Sequence, residues 1–190
     1  MTPSQGLPLQ NDDDAAIVAQ VLAGDTAAYS TLVVRYRAQF GRYAVRMLGS
    51  REDAEEALQD AFVRAYRSLA RCDDPVRFGS WLFRILANRC RTAGGRKGRR
   101  ERTFISDDVA LHGASHDHPA ERNAWREEIQ GALLKLEPEQ REAFLLKHVE
   151  DLEYDTMSKT TGASIPALKM RVKRACDRLR AELTEVANAS

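Results

Sequence analysis

The stretch YDTMSKTTGASIPALKMRV, at residues 154–172, decides the fold. It has the pattern of two short helices joined by a tight turn. Gly162 ends the first helix where the backbone needs a positive φ, and Ser164 caps the second helix. Ser158, four residues before the glycine, is small, as the close crossing of two helices requires. Leu168 then lies on the inward face of the second helix, so the stretch predicts a helix-turn-helix.

The outward face of the predicted second helix is basic. A helix that enters the major groove of DNA carries such side chains because they reach phosphates and the acceptor edges of guanine. A basic face is also common on an ordinary solvated helix. The DNA-binding interpretation therefore rests on the glycine, the small residue, the cap and the basic face together. The cations are Lys169, Arg171, Lys173 and Arg174, continued by Arg178 and Arg180.

The rest of the chain also reads as helical. Its 190 residues include only 11 glycines and 6 prolines, and 43% are hydrophobic, so helix-breaking residues are scarce in a globular composition. Apolar residues recur at three- and four-residue steps, which predicts amphipathic helices. We therefore expect an all-α fold. The predicted helices before the motif cover about residues 12–22, 26–48, 51–69 and 78–90, and helical periodicity returns from Pro119.

Two small helical domains are predicted, joined by a flexible linker. After the fourth helix the sequence changes to Gly94-Gly95, a run of arginines and lysine, and a stretch with little apolar periodicity. The two glycines are expected to shorten the fourth helix. The predicted boundaries are a disordered tail at 1–11, a first domain at 12–95, a linker at 96–119 and a second domain at 120–186.

A dense basic cluster lies at the end of the first domain. Such a local field suits a polyanion. Aromatic and amide side chains next to positive charge suit unstacked single strands, and Trp81, Phe83 and Asn88 supply them. A solvated linker is the alternative for the later part of the cluster. The cluster consists of Arg84, Arg89, Arg91, Arg96, Lys97, Arg99, Arg100 and Arg102.

The third predicted helix carries the opposite charge. Glu52, Asp53, Glu55, Glu56 and Asp60 crowd its first half. Such a face repels phosphate, so it cannot itself bind DNA. It either solvates the domain or meets a basic protein partner.

Several function classes are disfavoured by the composition. The three cysteines are odd in number and form no C-x-x-C pair, which disfavours a disulfide framework and a cysteine zinc site and fits a reducing cytoplasm. No basic head with an apolar segment marks a signal peptide, and no apolar run approaches the ~20 residues that span a bilayer. We expect a soluble, cytoplasmic protein without membrane contact of its own.

Histidines give the one hint of an enzyme. His112, His116 and His118, with Asp117, have a spacing that suits a metal. The alternative is a polar linker that happens to contain histidines, and this is the interpretation we adopt. No general base accompanies a nucleophile, so we expect no catalytic site, no metal and no cofactor.

The motifs GSREDAEEALQDAFVRAY at 49–66, FGSWLFRILAN at 78–88 and LEPEQREAF at 136–144 follow one another along the chain. In this order they resemble the motifs of extracytoplasmic-function (ECF) RNA polymerase sigma factors. GSREDAEEALQDAFVRAY at 49–66 resembles the helix that binds core polymerase in that family. FGSWLFRILAN at 78–88 is similar to the segment that reads the −10 promoter element. LEPEQREAF at 136–144, together with the helix-turn-helix, is similar to the −35-binding domain. The absence of a third domain between the two is typical of this small subfamily.

The resemblance implies a transcription initiation factor that binds promoter DNA while attached to core polymerase. Core binding would use Asp53, Glu56, Gln59, Asp60 and Phe62. Binding of the melted −10 non-template strand would use Cys72, Asp73, Asp74, Pro75, Val76, Arg77, Trp81, Arg84, Asn88 and Arg91. Binding of the −35 duplex would use Ser164, Lys169, Met170, Arg171, Lys173 and Arg174, with Ser164 and Arg171 on phosphates.

The resemblance also implies an anti-sigma factor as a further partner and a role in stress response. The competing interpretation is a free-standing regulator that binds DNA alone as a dimer through the same helix-turn-helix. The acidic third helix and the tryptophan segment have no role in that alternative. A gel shift with and without core polymerase separates the two.

Overall fold

The backbone is described for residues 11–97 and 119–189 of the computed structural model, and side-chain surroundings for 11–94 and 125–184. All regular structure in these ranges is helical, which confirms the all-α expectation. Residues 98–118, most of the predicted linker with its three histidines, lie outside the described part of the chain.

The first domain contains four helices. They are α1 (Asp12–Leu22), α2 (Tyr29–Leu48), α3 (Arg51–Arg67) and α4 (Phe78–Lys97). Short 3₁₀ turns at Thr26–Ala28, Leu69–Arg71 and Pro75–Arg77 join them.

Local capping explains where these helices begin and end. The side chain of Asn11 accepts a bond from Asp13 N at 3.0 Å, and the Ser50 hydroxyl accepts one from Asp53 N at 3.3 Å. Gly49 adopts a φ of 70° at the end of α2, a conformation that favours glycine. The chain therefore turns sharply from α2 into α3.

Aromatic rings fill the interior of the first domain. Phe40 lies between Tyr36 and Phe83, with ring centroids 5.1 and 5.3 Å apart, and Tyr43 meets Phe83 at 4.8 Å. All four rings are fully buried. Such pairs contribute about 0.5–1.5 kcal/mol each beyond the burial of their area. This interior fixes α4 against α2 and so sets the direction of the polar face of α4.

The fourth helix is longer than the sequence predicted. It was expected to end near Cys90, shortened by the glycine pair, but it continues to Lys97. A glycine within a helix costs only about 1 kcal/mol. A Cβ at Gly94 would come 3.9 Å from Leu48 of α2, so the helix runs close alongside its neighbour here. That support outweighs the weak helix propensity of glycine.

The second domain contains α5 (Pro119–Lys135), α6 (Pro138–Phe144), a π-helical turn (Leu145–Val149), α7 (Tyr154–Thr161) and α8 (Ile165–Ala189). The apolar residues at and just after α5 are only partly buried. Leu133 and Leu136 are buried, whereas Trp125 and Ile129 are 50% and 44% exposed.

A buried arginine joins α5 to α6. Arg141 donates from Nε to Leu133 O at 2.7 Å and from Nη2 to Leu134 O and Leu136 O at 2.7 and 3.1 Å. The last carbonyls of a helix have no partner within the helix. Arg141 donates hydrogen bonds to the carbonyls at the end of α5 and so fixes the angle between α5 and α6.

The two domains are in contact with each other. The C-terminal end of α2 lies against α5 and α6, and α4 lies against α7. The sequence predicted two domains joined by a flexible linker, and it did not predict this contact between them.

We predict opposite effects for the same substitution at two glycines. Gly162→Ala should lower the free energy of unfolding by about 1 kcal/mol, because the residue has a φ of 75°. Gly94→Ala should raise it by about 0.5–1 kcal/mol, because alanine fits a helix better than glycine. Urea unfolding followed by far-UV circular dichroism measures both. Equal shifts in one direction would contradict the conformations of these two residues.

Candidate nucleic-acid and protein interfaces

The helix-turn-helix forms as the sequence predicted. Gly162 has a φ of 75°, and its N–H donates to Ser158 O at 2.8 Å. The Ser158 hydroxyl donates to Ala163 O at 2.7 Å. Ser158 was expected only to be small, but it also ties α7 to the turn. Ser164 then begins α8 by accepting from Leu168 N at 3.0 Å and, through Oγ, from Ala167 N at 3.4 Å.

The basic residues of α8 face outward. Leu168 and Val172 are buried against the rest of the domain. Met170 is 49% exposed among the cations. Arg171 differs from the others because it is half-buried and forms an ion pair with Glu139 at 2.6 Å. Lys169, Lys173 and Arg174 are exposed near the start of the helix, and Arg178 and Arg180 are exposed farther along it.

Tyr154 organises two lysines next to this face. The Nζ atoms of Lys147 and Lys169 lie 5.4 and 5.6 Å from the centroid of its ring. Such cation–π contacts restrict where a flexible ammonium group can go. Sequence reasoning treated Tyr154 only as the start of a helix. The contact joins residues far apart in sequence, so no local pattern indicated it.

A second polar face lies on α4. Trp81, Arg84, Asn88 and Arg91 follow at steps of three, four and three residues and therefore share one side of the helix. Arg84 and Asn88 are exposed, and Trp81 is half-buried with its ring 5.9 Å from that of Phe78. Arg91 donates to Asn88 Oδ1 at 2.6 Å. The structure thus brings together the four α4 residues assigned to the −10 element.

The loop before α4 has an exposed rim and a buried thiol. Asp73, Asp74 and Arg77 are exposed, and Arg77 pairs with Asp74 at 3.3 Å. Pro75 and Val76 are half-buried. Residues 72–77 therefore differ in exposure and do not form one uniform surface.

Cys72 lies under the loop rather than on it. Its side chain is largely buried, and its thiol donates to Asp74 O at 3.6 Å. Burial raises the pKa of the Cys72 thiol above its ordinary value. The neutral thiol supports the loop from below and is poorly placed to touch a base.

The acidic face of α3 is partly neutralised from within the domain. Asp60 forms an ion pair with Arg64 at 3.1 Å and another with Arg89 of α4. Glu56 and Gln59 are exposed, and Asp53 is half-buried. Phe62 is 7% exposed and belongs to the interior. The helix thus presents acidic and amide groups outward while Phe62 anchors it. Arg89 had been assigned only to the basic cluster.

Two apolar side chains extend the same face of α3. Val63 is 46% exposed and Tyr66 is 42% exposed. The ring of Tyr66 lies edge-on to Tyr29, with centroids 5.1 Å apart. Polar and apolar groups together are typical of a surface that binds a protein.

The described residues contain no cluster of three histidine, cysteine or carboxylate side chains suited to a metal ion. His112, His116 and His118 lie outside the described residues. Among the described helices, none has both the length and the apolar character needed to cross a membrane.

Comparison with known proteins agrees with this geometry. Residues 32–100 match the family model "Sigma-70 region 2", and residues 126–179 match "Sigma-70, region 4". The ECF RNA polymerase sigma factor SigM of Mycobacterium tuberculosis is 31% identical over 87% of this chain and 82% of its own length.

Two solved structures are also similar. CnrH, in complex with the cytosolic domain of CnrY, has a TM-score of 0.67 and 28% identity over 92% of this chain and 99% of that chain. The sigma factor RpoE from Bartonella quintana, in complex with the anti-sigma factor NepR, has a TM-score of 0.62 and 24% identity over 82% of this chain and 96% of that chain, and it supports the fold. The chain belongs to the ECF family of sigma factors, which recognise promoters together with RNA polymerase.

Proposed function

We propose that this sigma factor uses three separate surfaces to bind the −35 element, the −10 element and core polymerase. The exposed cations of α8 bind the −35 element, the polar face of α4 with the preceding loop binds the melted −10 strand, and α3 binds core polymerase. The observation that carries the proposal is the segregation of charge. A chain with a formal net charge of +1 places acids on α3 and bases on α4 and α8.

The proposal for α8 follows from its exposure and its capped N-terminus. A recognition helix enters the major groove with its N-terminal half, where side chains reach base edges. Lys169, Met170, Lys173 and Arg174 are exposed there and would contact bases. Ser164, at the helix start, and Arg171, restrained by Glu139, would contact phosphates.

The proposal for α4 depends on its mixture of side chains. Trp81 offers an aromatic face for stacking, and Arg84 and Asn88 offer donors beside it. Stacking of unpaired bases on aromatic groups contributes about 1–3 kcal/mol per base. Capture of bases in this way would offset the cost of opening the duplex. The exposed residues Asp73, Asp74 and Arg77, with Pro75 and Val76, would form the adjoining edge, supported from below by Cys72.

The proposal for α3 depends on its charge. Acidic and amide groups cannot attract phosphate but suit a basic protein surface. Asp53, Glu56, Gln59 and Asp60 would contact core polymerase, with Phe62 holding the helix in position from inside.

We further propose that the protein is cytoplasmic, has no enzymatic activity of its own and is controlled by an anti-sigma factor. Promoter recognition requires access to the chromosome, which supports a cytoplasmic location, and the family consists of transcription initiation factors rather than enzymes. Both solved relatives are bound to a second protein, in one case an anti-sigma factor.

Charge reversal on α3 should weaken binding to core polymerase. We expect Asp53→Lys with Glu56→Lys to reduce capture of core polymerase strongly, because the acidic face would become like-charged with its partner. Pull-down of purified core measures this, with circular dichroism to confirm the fold. Reversal of two exposed acids of the second domain, Glu128→Lys with Asp177→Lys, is the matched control. Unchanged capture by the α3 variant would remove this assignment.

Base reading by α8 should be sequence-dependent. We expect Lys169→Ala and Arg174→Ala each to cost about 1–3 kcal/mol and to relax preference among −35 variants. Arg171→Ala should weaken all promoters alike and flatten the salt dependence. In vitro transcription by the reconstituted holoenzyme on a set of −35 variants measures all three. No loss for any of them would mean that α8 does not enter the groove.

The linker histidines should be dispensable. We expect the triple substitution of His112, His116 and His118 by Ala to leave transcription from a cognate promoter unaltered, because no catalytic or metal role is assigned to them. In vitro transcription with and without added zinc measures this. A loss of activity in the variant, or a zinc dependence of the unmodified protein that the variant lacks, would show a metal site.

A further inference from the structure

The first turn of α1 contains a fully buried carboxylate. The two oxygens of Asp14 accept hydrogen bonds from Arg35 Nη1 and from the hydroxyl of Tyr36, both on α2. Burial and the bond to Asp14 raise the pKa of Tyr36 above its ordinary value, so the phenol is neutral and donates. Loss of either partner would leave a buried group short of a hydrogen bond, which is costly. The first turn of α1 is therefore held firmly on α2.

The same turn is bonded to the loop before α4, at residues 72–77. Asn11, the N-cap of α1, donates from its backbone N to Val76 O at 3.0 Å, and its carbonyl accepts from Asp14 N at 3.0 Å. The helix also packs against the 3₁₀ turn that precedes the loop and the one that forms its second half. One helical turn thus contacts α2 on one side and the loop on the other.

A row of aromatic rings leads from the partner of Asp14 to the polar face of α4. The ring centroids of Tyr36 and Phe78 are 5.9 Å apart, and those of Phe78 and Trp81 are also 5.9 Å apart. Tyr36 and Phe78 are fully buried in a close-packed interior, so neither ring can move without displacing the next. The orientation of Trp81 therefore depends on a bond made between α1 and α2.

The bonds of Asp14 are better suited to fixing a position than to adding stability. A buried ion pair contributes little net stability compared with apolar packing of the same volume, because both charges lose their water. An apolar contact tolerates sliding, whereas two directional bonds to one carboxylate allow a single register of α1 on α2. Asp14 itself is fully buried and cannot touch DNA.

We propose that Asp14 is a positioning residue for −10 recognition, which orders the loop before α4 through Asn11 and orients Trp81 through Tyr36 and Phe78. This rests on the −10 role proposed above for the loop and for Trp81. The match to the family model covers residues 32–100 and so does not include α1. The support of the −10 surface thus extends to a helix that precedes the matched residues.

An ordered loop discriminates between bases better than a loose one does. A loose loop has to lose conformational freedom when a base binds, and it can adjust its shape to several bases. A small displacement of binding groups is enough to weaken the contacts that they make. Loss of the Asp14 bonds should therefore lower both affinity and discrimination at the −10 element.

Two test variants remove these bonds, and each has a matched control. Asp14→Asn removes the buried charge without a change of size. Its control is Asp13→Asn, because the side chain of Asp13 is 81% exposed and lies 4.0 Å from Arg35. Tyr36→Phe removes the hydroxyl and keeps the ring, so it carries the test should Asp14→Asn fail to fold. Its control is Tyr43→Phe, which removes another buried hydroxyl of α2, one without a hydrogen-bond partner among the described residues.

Hydrogen exchange of the free protein measures the order of the loop. The N–H of Arg77 donates to Asp74 O at 2.9 Å, so this amide is protected while the loop keeps its form. We expect both test variants to exchange about tenfold faster across residues 72–77, and both controls to match the unmodified protein. Unmodified protein in urea, adjusted to the free energy of unfolding of each variant, separates loop opening from global loss of stability, since local opening exposes little surface.

Binding by the holoenzyme measures what loop order does for the promoter. The probe is a cognate promoter template whose −10 bases are held unpaired by mismatches, so that the cost of melting does not enter. We expect the test variants, with saturating core polymerase, to bind this template about tenfold more weakly. They should also discriminate less against templates with substituted −10 bases. Both controls should bind and discriminate as the unmodified holoenzyme does.

Unchanged loop exchange in the test variants would overturn the positioning role. Loop exchange equal to that of the urea-matched protein would show only a general loss of stability and would also overturn it. Faster loop exchange with full discrimination would do the same, provided that Trp81→Ala loses discrimination in that assay. Full discrimination by both Trp81→Ala and Arg77→Ala would instead remove the proposed −10 surface itself.

Discussion

The hydrogen bonds of Arg141 are the interactions on which the second domain and its contact with the first both depend. One buried guanidinium takes three carbonyls at the end of α5 and a fourth, Met47 O, at the end of α2. Buried carbonyls without donors are costly, so removal of this side chain would leave several at once. The angle between α5 and α6, and through α6 the placement of α8, follows from this residue.

Negative and positive side chains are separated onto different helices, and neither sign is in large excess over the whole chain. The formal net charge is +1, which alone would argue against a protein that binds nucleic acid. The acids on α3 suit a basic protein surface, and the bases on α4 and α8 suit nucleic acid. Each surface therefore suits one kind of partner. Ion pairs such as Asp60 with Arg89 connect the two kinds of surface inside one domain. The same pairing of opposite charges recurs between the domains, where Glu142 meets Arg91.

The features predicted from sequence are those encoded locally. Gly162, Ser164 and the apolar spacing of α8 determine a turn and a helix within about twenty residues, and the structure confirms them. Contacts between distant segments were not predictable in the same way. Arg91 against Thr161, Lys169 over Tyr154, and the burial of Cys72 all depend on tertiary packing. The length of α4 was misjudged for the same reason, because its support comes from α2.

The central claim is that this chain acts with core polymerase to recognise and open a promoter. Permanganate reactivity of unpaired thymines on a cognate promoter tests it most directly. We expect reactive thymines at the −10 element only when the chain and core polymerase are both present. Protection of duplex DNA by the chain alone as a dimer, with no reactive thymines after addition of core polymerase, would contradict the account and favour a free-standing regulator.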